Sequence, residues 1–241
     1  MHFFKVSLIV LFLLGGFAVQ AQKIFLVIDD AGLALHETQQ FLDIPVSMTI
    51  AVLPHQKQTK QVCIAIGRDR NKEIILHQPM EAYNDKKNPG VGAIMNTTPP
   101  SEVRKILDQN FRSVRGAVGM NNHMGSRVTE NPELIREMLR FCKAHDMFFL
   151  DSKTAYNSQV PRIAKENGMH VEERHVFLDI NHDRAYIRRM WGSAVNKAKE
   201  NGYVIVIAHV WSKESAAAIR DSYEGLLNQG YTFHKLSELY K

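Results

Sequence analysis

Cysteine is scarce in this 241-residue chain, where only Cys63 and Cys142 occur. Two thiols cannot build the dense framework of a small disulfide-held module, and a chain of this size buries an adequate core without staples. Both cysteines fall in helix-like apolar patterns, which suits buried free thiols; whether they meet is open at this level. Other absences narrow the chemistry. There is no G-x-S-x-G nucleophile elbow, no G-x-x-x-x-G-K-S/T phosphate loop and no G-x-G-x-x-G fingerprint. Serine-elbow hydrolysis, nucleotide-triphosphate chemistry and dinucleotide binding therefore lack their usual carriers. The formal charge of +5 is mild, and no Lys/Arg run interleaves with aromatics, so nucleic acid is not an expected partner. No Ser/Gly linker, low-complexity tract or repeat divides the chain.

One apolar stretch stands apart. Ser7 to Val19 follows the short basic start Met1 to Lys5, and Val19-Gln20-Ala21 offers small residues for cleavage. This pattern predicts a signal peptide over residues 1–21, cut after Ala21. The stretch is short for a membrane span, and no later segment reaches that length. The expectation is an exported chain, periplasmic or secreted, with no stable membrane insertion and one α/β domain over residues 22–241.

The mature sequence is organised around Ile24 to Gly32. Ile24, Phe25, Leu26, Val27 and Ile28 run without polar alternation into Asp29 and Asp30. Such a run suits a strand buried on both faces, as in a parallel sheet covered by helices. The pattern then recurs. Predicted strands cover Val46–Leu53, Glu73–Leu76, Ala117–Met120, Met147–Leu150, Val176–Leu178 and Val204–Ala208, with amphipathic helices between them. Asn131 with Pro132, Asp183 and Ser212 read as helix starts. Glu81 to Thr98, rich in Asn, Lys, Gly and Pro, reads as a long surface loop. About seven parallel strands alternating with helices predict a distorted or incomplete (β/α) barrel.

The strands end in Asp29-Asp30, His77, His123, Asp151, Asp179 and His209. In a parallel sheet all these ends share one face. Adjacent like charges are costly without a cation or shared proton. Two carboxylates with two or three imidazoles suit Zn²⁺ or a similar divalent ion. Three protein ligands leave zinc an open position, where a water ionises near neutral pH. A remaining carboxylate and imidazole serve as general base and acid. Taken singly, each residue is also compatible with a cap, a turn or a satisfied structural side chain. Asn121 and Asn122 suit either substrate hydroxyls or turn conformations. Asp151, Ser152 and Thr154 suit a cleft lining or a helix-entry turn, and Glu81 suits either an imidazole partner or a solvated loop. Trp191 at helical spacing reads as core.

At LVIDDAGL (26–33), TIAVLPH (49–55), EIILHQPMEA (73–82), GAVGMNNHMGSR (116–127), FFLDSKT (148–154) and VFLDI (176–180), the sequence resembles the divergent polysaccharide deacetylases. These are carbohydrate esterases related to chitooligosaccharide and peptidoglycan deacetylases. The resemblance spans nearly the whole mature chain. It implies a distorted (β/α) barrel, a bound divalent metal, usually zinc, and an N-acetylated polysaccharide or peptidoglycan-like substrate. Carried over, Asp29 is the base, Asp30 a metal ligand, His77 a second ligand and His209 the general acid. The wider superfamily has two histidines four apart where this chain has His77 and Glu81, so His123 is the candidate for the third ligand. The superfamily's Arg-x-Pro-x-Gly motif is absent. Asn122, Asp151 and Ser152 are the expected substrate contacts, and Glu81 and Asp179 the expected supports. The competing expectation is a non-catalytic, envelope-associated carbohydrate-binding protein that keeps the barrel.

Overall fold

The computed structural model describes residues 22–84 and 87–241, so the expected leader lies outside the described residues. Strand and helix alternate: β1 (Lys23–Ala31), α1 (Leu35–Leu42), β2 (Met48–Val52), α2 (Thr59–Ile66), β3 (Lys72–Met80), α3 (Pro100–Ser113), β4 (Ala117–Met124), α4 (Pro132–Ala144) and β5 (Phe148–Asp151). There follow α5 (Val160–Glu166), β6 (Glu172–Glu173), β7 (Val176–Phe177), α6 (Arg184–Asn201), β8 (Tyr203–His209), α7 (Lys213–Asn228), β9 (Thr232–His234) and a 3₁₀ turn at Leu236–Tyr240. The helix starts expected from sequence carry their caps. Asn131 accepts from Glu133 N and Leu134 N, Asp183 from Tyr186 N, and Ser212 from Ser215 N.

Among the described residues every pairing is parallel, in the order β6-β5-β4-β3-β2-β1-β8-β7, with β9 added beside the start of β1. The path holds eight strands rather than about seven because one stave is broken. β6 and β7 are separated only by Arg174 and His175, yet β6 pairs with β5 and β7 pairs with β8. That one segment carries the chain from one sheet edge to the other. The sheet is therefore curled into a distorted (β/α) barrel without a complete ladder.

The two faces of the sheet bury different clusters. Ile24, Leu26 and Ile28 of β1 belong to the outer core beneath the helices, whereas Phe25 and Val27 belong to an inner core with Ala51, Ile75, Leu150, Ile205 and Ile207. This is the period-two alternation of a strand. The 3₁₀ turn plugs the N-terminal end of the curl: Leu236 N and Ser237 N donate to Thr49 Oγ1 and Glu73 Oε1. The opposite end of the curl carries the polar strand ends.

The strands reach further than the apolar runs suggested. β3 continues through His77 to Met80, and β4 through His123 to Met124. Their polar residues stay on the ladder, with His77 opposite Asn121 and Pro79 opposite His123. Helix α1 was not expected; it buries only Thr38 and Phe41, too little for an apolar stripe.

Candidate active site at the strand C-termini

The paired aspartates depend on a defect in β1. In a regular strand, neighbouring side chains point to opposite faces. Here the β1–β2 register shifts between Ile28 and Ala31, and Asp30 adopts φ 66°. A bulge of this kind re-aims a side chain. As a result both carboxylates reach one nitrogen: Asp30 Oδ1 lies 3.1 Å and Asp29 Oδ2 3.8 Å from His77 Nε2.

His123 completes a triangle. Its Nδ1 lies 2.9 Å from Asp30 Oδ1 and 3.1 Å from His77 Nε2. The amide of Asn121 sets the tautomer of His77. Its Nδ2 donates to Asp29 Oδ1 at 2.9 Å, so its Oδ1 accepts from His77 Nδ1 at 2.7 Å. In the neutral ring the lone pair of Nε2 therefore faces the Asp30 carboxylate. Such a set of acceptors needs a proton or a cation among them. Tetrahedral metal–nitrogen and metal–oxygen bonds of about 2.0–2.2 Å place neighbouring donors about 3.3–3.6 Å apart, so the present spacings of 2.9–3.1 Å need only widen slightly to admit an ion. The donor set Asp30, His77 and His123 fits a divalent metal.

The second half of the site lies across β1. Asp29 and His209 are register partners on β1 and β8. Asp179 Oδ1 takes His209 Nδ1 at 2.7 Å, and its Oδ2 accepts from His209 N and from Ser215 Oγ. Trp211 stacks on His209 with centroids 4.9 Å apart and donates from Nε1 to Asp30 Oδ2 at 3.0 Å.

These contacts push the ionisations apart. Burial raises the pKa of Asp29 despite the opposing pull of His77 and His209. For Asp30 burial also pushes upward, but the hydrogen bonds from His123 and His77 outweigh it and hold the carboxyl well below its usual range. Burial disfavours the His77 cation; Asp29 and Asp30 outweigh this and raise its pKa. Burial likewise opposes the His209 cation, but Asp179 overrides it and lifts the imidazole to about 9.

The structure brings together Asp29, Asp30, His77, His123, Asp179 and His209. Ser152 reaches the same cluster through Asn121 Nδ2 at 3.3 Å. Other expected residues are placed elsewhere. Glu81 is drawn to Arg127 Nη1 and to Asn96 N rather than to an imidazole, because the long loop folds back over it. Asp151 is fully buried and bound to Ser158 Oγ and Lys153 N, holding the turn after β5. Asn122 likewise ties Ser152 N to Met124 O and Thr154 Oγ1. Both residues bond into the loops that follow β4 and β5. Trp191 lies in the core, as expected.

Sequence reasoning missed Trp211 and Arg174. Arg174 donates to Ser152 O and Lys153 O and lies 3.8 Å over the Phe177 ring. Burial lowers its pKa against the pull of Asp151 and Asp29. No periodicity marks either residue. The role of Asn121 had one available signal: it precedes His123 by two in a strand and so shares its face.

Known proteins resemble this chain in sequence and in fold. A family model described as "Divergent polysaccharide deacetylase" matches residues 26–240. An uncharacterised protein of Haemophilus influenzae is 32% identical over 197 residues, 80% of this chain and 69% of that one. The uncharacterised protein YibQ of Escherichia coli is 33% identical over 195 residues, 79% of this chain but only 59% of its own length. Among solved structures, an uncharacterised protein of Agrobacterium tumefaciens superposes with a TM-score of 0.85 at 22% identity, covering 92% of this chain and 90% of that one. A CE4 family pseudoenzyme of Bacillus anthracis superposes with a TM-score of 0.55 at 16% identity, covering 92% and 66%. Both structures share the fold. With the family model covering nearly all described residues, the chain belongs to the divergent polysaccharide deacetylase family.

Proposed function

We propose that the protein is an exported, metal-dependent hydrolase that removes N-acetyl groups from a polysaccharide. One observation carries this reading: Asp30, His77 and His123 converge beside a second buried carboxylate, Asp29, and an Asp-backed imidazole, His209. Family membership supports the polysaccharide class. The leader expected at residues 1–21 supports export, and a mature N-terminus at Gln22 in the periplasmic fraction would test it.

Asp30, His77 and His123 would hold the ion. When bound, Zn²⁺ supplies a Lewis acid for the acyl carbonyl and lowers the pKa of water. Asp29, raised by burial, accepts a proton as water oxygen bonds to the carbonyl carbon. Asn121 keeps that carboxylate aimed. His209, protonated through neutral pH and steadied by Asp179, gives a proton to the amine nitrogen as the C–N bond breaks. Acetate and a free amino sugar leave.

A second reading, glycan binding without turnover, is favoured by Glu81 in place of the superfamily's second histidine and by the likeness to a pseudoenzyme fold. Acetate release from N-acetylated glycans separates the two. The hydrolase predicts release that a chelator removes and Zn²⁺ restores. Glycan binding with no acetate at any metal loading would establish the binder.

A further inference from the structure

Trp211 touches both halves of the site. Asp30 divides its oxygens: Oδ1 faces His77 and His123, while Oδ2 accepts from the indole at 3.0 Å. With Oδ2 engaged by the indole N–H, Oδ1 is the oxygen that faces the candidate ligands. An indole N–H only donates, so it cannot compete as a ligand. The same ring lies nearly parallel to His209, at 15° and 4.9 Å. His209 in turn stacks on Phe177 at 5.8 Å and 19°, and Arg174 sits over Phe177. Asp179 grips one edge of His209 through Nδ1 and the backbone N. The imidazole is thus clamped on an edge and on its faces. Trp211 is nevertheless 38% exposed, an unusual place for a large ring with no role in the core.

We propose that Trp211 is a positioning residue for the metal site. It holds Asp30 with Oδ1 turned towards His77 and His123, and it packs the His209 ring beside that carboxylate. The indole N–H therefore reports whether the site is filled. This rests on the metal-site reading above. Hydrogen-bonding partners of metal ligands are worth about 10–100-fold in metal affinity.

The test uses the purified, chelator-stripped chain and Zn²⁺ alone, with affinity read by competition against a chromophoric chelator. Trp211→Phe keeps a ring for the stack but removes the N–H. Zinc should bind it 10–100-fold more weakly than the wild type, with an unchanged circular dichroism spectrum. Trp191 is buried and bonded to Ser222 Oγ, so Trp191→Phe assigns the indole signals. In the otherwise unmodified chain, the Trp211 indole N–H resonance should shift on zinc addition. Equal zinc affinity of wild type and Trp211→Phe, or an indole resonance unmoved at saturating zinc, would overturn the proposal and leave the metal site standing. A wild-type chain that binds no zinc would end both.

Discussion

Asn121 stands between His77 and Asp29 and bonds both with one amide, 2.7 Å from the imidazole and 2.9 Å from the carboxylate. A single side chain thus determines which nitrogen of His77 is free and where the candidate base points. Asn121→Leu removes both bonds at similar volume. Zinc affinity of the stripped protein should fall about 10–100-fold. Competition titration checks this; wild-type affinity would show that the tautomer is held by something else.

Asp29 is separable from the ligand triangle. Asp29→Asn keeps an acceptor for Asn121 but cannot take a proton. Acetate release should drop about 10²–10⁴-fold, with zinc content unchanged. Full activity in this variant would assign the base elsewhere.

His209 links stability to pH. Its pKa is about 9 in the folded chain, against an ordinary value of about 6.5. A raised folded pKa stabilises through the protonated form. That contribution is complete below about pH 6.5, declines as pH rises, and is gone above about 9. It is worth on the order of 3 kcal/mol. In chelator, urea unfolding of the wild type minus that of His209→Gln should shrink across this window. A pH-independent difference would contradict the Asp179–His209 ion pair.

Gly119 has a steric role. A Cβ there would lie 2.5 Å from ring atoms of Phe148. Phe148 is itself stacked on Tyr240 at 4.6 Å, so it has little room to retreat. Gly119→Ala should cost about 1–3 kcal/mol by overpacking, seen as a lower urea midpoint with zinc binding retained. An unchanged midpoint would mean that the inner core yields easily.

Much of the fold was legible because its signals are local. The Ile24–Ile28 run, the caps at Asn131, Asp183 and Ser212, and the acidic or imidazole residue at each strand end are patterns within a few residues. Parallel strands then place those ends on one rim whatever the exact register, which is why Asp29, Asp30, His77, His123, Asp179 and His209 fall together. Asp151 shows the weakness of that argument. It stands at the correct end of β5, yet the next turn claims both of its oxygens.

By itself, then, the sequence determined the alternation of strands and helices, the common rim and the chemical types gathered there, since hydrophobic period and strand direction are written along single segments. Only the tertiary structure decided the bulge that lets Asp29 and Asp30 share His77, the broken stave at Arg174-His175, and the recruitment of Asn121 and Trp211. Those depend on register and curl between strands far apart in the chain, and cross-strand distance has no counterpart in local periodicity.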